Sequence, residues 1–156
     1  MKTERKLKKR LRLSSDAEYL HKDFHGALCQ AVKYLDDRYG KEHTCMYLKQ
    51  FAEKYYSPLS ARLKENGLQE LERHWQRVFS LENGDFEQFY DNEKLVLKVN
   101  SCPAIAHLKK IGQFVTERFC QTTKVVNATI CKNAGYNCSC HYERGKGRCI
   151  QTFWKE

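Results

Sequence analysis

Four late cysteines, Cys131, Cys138, Cys140 and Cys149, have the residue type and spacing to do chemistry. Thiolates are soft ligands, and three or four on a shared surface hold zinc in a tetrahedral shell. Alternation along a strand puts Tyr136, Cys138, Cys140 and Tyr142 on one face of a segment over 136–143. The same rule puts Cys149, Gln151 and Phe153 on one face of a segment over 148–154. With a turn centred on Gly145-Lys146, Tyr142 pairs with Cys149 and Cys140 with Gln151. Cys149 then lies diagonal to Cys140 on the same face. Cys131, one turn before a helix end at Gly135, is the candidate fourth ligand. The spacing is not that of paired Cys-x-x-Cys knuckles. Reduced cysteines also pack as small buried hydrophobes or serve redox and nucleophilic roles, and these readings stand beside the metal one.

Cys102 is the candidate nucleophile. It precedes Pro103 and so falls at a helix N-cap, where the dipole and free backbone N–H groups favour a thiolate. An inert thiol ending a buried strand has the same sequence. Cys120, Lys124, Asn127 and Cys131 follow at steps of four, three and four, one helical stripe. Within it Cys120 and Asn127 are candidate ligand contacts, together with Tyr142 on the terminal hairpin; the plain alternative is a helix edge. His21, His25 and Cys29 repeat at four-residue steps and could share a metal, but no Glu stands beside His21 as metalloproteases require. Glycine-rich phosphate loops and the Gly-x-Ser-x-Gly elbow are missing, which disfavours nucleotide-driven chemistry and ordinary serine hydrolysis.

The elements that must position these residues follow from periodicity. Ser15 and Glu18 form a capping box. An amphipathic helix follows, with Leu20, Phe24, Leu28, Ala31, Leu35 and Tyr39 as its apolar stripe and Gly40 as its stop. Three more helices are expected over 42–55, from Ser57-Pro58 to Asn66-Gly67, and over 68–80. Residues 86–90 and 94–100 read as strands around Asp91-Asn92-Glu93. A short helix opens at Cys102-Pro103. A longer one spans 114–134, with Val115, Phe119, Thr122, Val126 and Ile130 buried and Gly135 as C-cap. The expected fold class is α+β: a helical N-terminal half packed on an antiparallel sheet of about four strands that ends in a hairpin.

The 156 residues suffice for one domain, here expected over 14–156 behind a basic tail over 1–13. That tail carries seven of the 28 Lys and Arg against Glu4, and so most of the net charge of +9. It reads as a solvated arm or as a phosphate- or membrane-surface contact. No apolar run reaches the roughly 20 residues of a membrane span, and no apolar stretch follows the basic N-terminus as in a secretory signal. A cytoplasmic setting is expected, in which eight cysteines stay reduced rather than forming four disulfides. No helix-turn-helix, ribonucleoprotein or zinc-finger pattern supports a nucleic-acid partner. Composition is compatible with a monomer or an oligomer.

Residues 102–153 also carry a resemblance. Cys102-Pro103, Phe119-Cys120, Asn127, and Gly135 leading to Cys140-His141-Tyr142 together resemble the bacterial L-2-amino-thiazoline-4-carboxylic acid hydrolase-like proteins. They also look like the four-vinyl-reductase small-molecule-binding domains. The resemblance implies helices packed on an antiparallel sheet around a small-molecule cavity. It also implies a zinc ion held by cysteines corresponding to Cys131 and Cys138 or Cys140. This chain has His141, Thr122 and Thr123, and Thr129 and Ile130, where those families place acidic residues. Two functions are therefore expected: a small hydrolase acting on a non-peptide C–N bond through Cys102 or a metal-activated water, with Asn127 orienting the substrate; or a non-catalytic small-molecule-binding or sensor domain, stabilised by zinc. A structural protein whose cysteines only pack is the third reading.

Overall fold

The structure, a computed structural model, describes residues 22–155. The basic tail, the capping box at Ser15 and Glu18, Leu20 and His21 lie outside the described residues. Five helices precede and interleave with four strands: α1 (Lys22–Tyr55), α2 (Ser57–Asn66), α3 (Gln69–Leu81), β1 (Asp85–Asp91), β2 (Lys94–Ser101), α4 (Pro103–Lys110), α5 (Phe119–Ala134), β3 (Asn137–Glu143) and β4 (Arg148–Trp154).

Gly40 divides α1. Its φ of 78° and ψ of 177° are not helical, so two helices meet there at a kink. The buried stripe before the kink differs from the expected one. Phe24 and Tyr39 are exposed, whereas Cys29 and Val32 are fully buried. The reason is close approach by small residues. Gly26 lies against Gln113, whose Nε2 donates to the Gly26 carbonyl at 3.3 Å. Cys29 Sγ donates to the Phe114 carbonyl and accepts from the Thr116 N–H, both at 3.4 Å. These contacts satisfy the Phe114 carbonyl and the Thr116 N–H outside any helix, and α5 begins at Phe119 rather than at residue 114. Beyond the kink, Leu48 and Ala52 face inward as expected.

The sheet is antiparallel throughout, in the order β1-β2-β4-β3. Leu95, Leu97 and Val99 of β2 face the helices. Their register partners in β4, Phe153, Gln151 and Cys149, share that face. Val126 and Ile130 of α5 pack on it, with Leu59 and Leu63 of α2 and Leu71 of α3 completing the main core. The Ser60 hydroxyl donates to the Ile130 carbonyl at 3.2 Å and ties α2 to α5. The opposite sheet face carries exposed Phe89 and Ile150 and the Lys98–Glu87 ion pair at 3.0 Å. A smaller core of Cys29, Ala104, Ile105, Leu108 and Phe119 lies under α4, and Cys102 borders both cores. The expected α+β architecture is thus present. Among the described residues no helix is long and apolar enough to cross a membrane.

Candidate functional site

The terminal hairpin adopts the register expected from its turn: Tyr142 opposite Cys149 and Cys140 opposite Gln151. Inward-facing side chains of β3 and β4 therefore meet α5 across one interface. At its centre Asn127 of α5 and Gln151 of β4 are 1% and 3% exposed. Asn127 Nδ2 donates to Gln151 Oε1 at 2.6 Å, and Gln151 Nε2 donates to Cys149 Sγ at 3.2 Å. Cys140, opposite Gln151 in register, lies on the same sheet face as Cys149. Asn127 is thus not on a helix edge; it points at the sheet and anchors a chain of two hydrogen bonds ending on one sulfur.

That chain sets the thiol electrostatics. Hydrogen bonds from Cys140 and then Gln151 favour the Cys149 thiolate and outweigh burial, which brings its pKa down to about 7. Cys140 moves the other way, because its proton is held by Cys149 and burial opposes its charge. The two thiols therefore move in opposite directions, Cys149 toward the thiolate and Cys140 toward the thiol.

Cys102 stands at the N-cap of α4, as expected, and its N–H donates to the Gly147 carbonyl at 2.7 Å, which docks α4 on the hairpin turn. Its acidity differs from expectation. Burial pushes the Cys102 thiol above its ordinary value, although the Ile105 and Ala104 amides pull the other way, and no side-chain capping hydrogen bond forms. Desolvation at the seam between two cores outweighs a short helix's terminal field. Cys120 is raised to about 11, chiefly by burial, then by Cys102 and Cys149; the Gly145 backbone opposes. These three sulfurs are close enough to feel one another's charge. Tyr142 is half-buried on the same sheet face, beside Cys149.

The four cysteines expected to ligate zinc are all free, Cys131 and Cys140 buried and Cys138 and Cys149 half-buried. Among the described residues no three or more His, Cys, Asp or Glu side chains gather in a group that could hold a metal ion. On α1, His25 Nε2 meets Glu82 at 2.9 Å, and Cys29 is engaged with the 113–116 backbone.

Gln151 is the functional side chain that sequence reasoning passed over. Its signal was present: an amide at an inward strand position, between Cys149 and Phe153, at the level of a helical Asn. One atom of the chain remains bare. Asn127 Oδ1 is buried with no hydrogen-bond partner among the described residues. A buried acceptor without a donor costs about 1–3 kcal/mol. No family model, no curated protein and no solved structure matches this chain.

Proposed function

We propose that this protein is a small-molecule-binding domain whose ligand sits between α5 and the β3–β4 hairpin. The ligand gives an N–H or O–H to Asn127 Oδ1 and places a polarised group against Cys149. The observation that carries this reading is the unpartnered Asn127 Oδ1 at one end of a chain whose other end is the Cys149 sulfur. Small-molecule sites use a few fixed polar groups in apolar surroundings, and Val126, Ile130 and Phe153 are apolar residues of the core into which Asn127 and Gln151 are buried. Eight free cysteines suit a reducing, cytoplasmic setting.

A second reading is hydrolysis of a non-peptide C–N bond, favoured by the acidity of Cys149. In it Cys149, not Cys102, is the nucleophile, because a thiolate rather than a thiol attacks carbon.

Thermal-shift screening of full-length protein against cyclic amides, thiazolines and related hydrogen-bond donors tests the binding reading. Compounds that raise the wild-type melting temperature are expected to lose that effect with Asn127→Leu. Equal stabilisation of both proteins would remove Asn127 from the site. Incubation with 2-amino-thiazoline-4-carboxylate separates the second reading, which requires cysteine-type product that disappears with Cys149→Ser. Zinc analysis of protein purified without chelator belongs to the same experiment: a stoichiometric ion lost on Cys138→Ser and Cys140→Ser would favour the zinc-stabilised form of the domain.

A further inference from the structure

We propose that the free edge of β3 is a self-association surface, on which a second copy of this chain adds its own β3 antiparallel and joins the two four-stranded sheets into one.

In the order β1-β2-β4-β3 the sheet ends on β1 at one side and on β3 at the other. An edge strand turns half of its backbone N–H and C=O groups away from the sheet, where a further strand can pair with them. Among the described residues β3 pairs with β4 alone. The two edges differ in charge. β1 has Asp85, Glu87 and Asp91 among its seven residues. Pairing it with its own copy about Gln88 sets Asp85 directly against the partner's Asp91, and this happens at both ends. Like charges at opposed positions repel, so β1 carries the kind of charge that keeps an edge unpaired.

β3 lacks that protection. Asn137–Glu143 contains neither lysine nor proline, and its one carboxylate, Glu143, lies at the end. Paired about Cys140, it sets Asn137 against the partner's Glu143, Cys138 against the partner's Tyr142 and Ser139 against the partner's His141. No like charges meet, and an amide donor stands by each carboxylate. This register pairs all seven residues of β3, and every other one that keeps like faces together pairs fewer.

A recess beside this edge fits a second copy in particular. It measures about 450 Å³ and lies where α5 turns into β3, lined by Ala128, Lys132, Gly135, Tyr136, Asn137 and Cys138. Ala128 and Lys132 are exposed on α5. Cys138, opposite Phe153, is on the helix-facing side of β3, and alternation puts Tyr142 on that side too. A two-fold axis normal to the sheet at the Cys140 pair keeps both sets of helices on one side. It brings the partner's Tyr142 opposite Cys138 at the mouth of the recess, with Cβ atoms about 4.5–5.5 Å apart. The small side chain of Ala128 leaves room for the ring. By symmetry Tyr142 of this chain enters the partner's recess, so the contact is self-complementary and closes at a dimer.

Sedimentation of full-length reduced protein across a micromolar concentration series is the test. A reversible monomer–dimer equilibrium with no larger species is expected. Ala128→Arg fills the recess with a charge at an exposed helix position, and Ser139→Lys guards the edge; each should raise the dissociation constant roughly tenfold or more. Phe89→Lys, on the open sheet face at the β1 edge, should leave it unchanged. Amide hydrogen exchange of wild type needs no variant to fold: protection of β3 should rise with concentration while that of β1 stays constant. A protein that remains monomeric throughout, or a dimer that dissolves with Phe89→Lys and not with Ala128→Arg, overturns the proposal. So does a monomer whose β3 is fully protected at the lowest concentration, because another part of the chain then covers the edge.

Discussion

Gln151→Leu is expected to destabilise the protein by about 1–3 kcal/mol and to slow alkylation of Cys149 at neutral pH severalfold. Both effects come from one side chain. Gln151 Oε1 is the acceptor for Asn127 Nδ2, so leucine leaves the buried Asn127 with neither its Nδ2 nor its Oδ1 satisfied. Gln151 Nε2 is also one of the donors that hold the Cys149 thiolate, and its loss moves that thiol back up. Urea melts measure the first effect and iodoacetamide labelling the second. Asn127→Leu/Gln151→Leu separates them: with both amides gone the unsatisfied-group penalty shrinks, while the slow labelling remains. Unchanged stability and unchanged labelling in the single variant would mean that the amide chain has no energetic role.

Phe153→Ala should be the most damaging substitution in the sheet, costing about 3–5 kcal/mol. Phe153 is 1% exposed, lies opposite Leu95 of β2 and Cys138 of β3, and packs in the core that α5 covers. Truncation removes a ring from a site walled by strands on both sides, so collapse is limited and a cavity remains. Domains of this size are stable by only about 5–15 kcal/mol, and the variant should unfold at a much lower denaturant concentration. Ile150→Ala, on the open sheet face and 47% exposed, is the control and should cost less than about 1 kcal/mol. Equal losses at the two positions would contradict the assignment of inner and outer faces.

Much of this architecture was legible in the sequence because the relevant signals are local. The glycine turn fixed the hairpin register, so Tyr142–Cys149 and Cys140–Gln151 could be paired without coordinates. Gly67 and Gly135 marked two helix ends, and Gly40, expected as a helix stop, is the kink at which two helices meet; all three have positive φ. What was not legible depends on contacts between distant segments. The inward face of α1 runs through Cys29 and Val32 because residues 113–116 dock there; a helical stripe counted from large apolar residues chose Phe24 and Tyr39 instead. The thiol acidities show the same limit. An N-cap position argues for an acidic Cys102, but burial between two cores reverses it. Cys149 offers no local cue; its acidity depends on Gln151, held by Asn127, and on Cys140 from the neighbouring strand.

Because the thiolate is the reactive form, a depressed pKa means that alkylation rises as pH passes through that value and levels off above it. The central claim, that the Asn127–Gln151 chain makes Cys149 the acidic thiol of the α5–hairpin interface, is tested most directly by the pH profile of iodoacetamide labelling, resolved cysteine by cysteine. The expected profile at Cys149 has its midpoint near pH 7, well below those at Cys102 and Cys120. A Cys149 midpoint at or above that of an ordinary thiol, or labelling of Cys102 first, would contradict it.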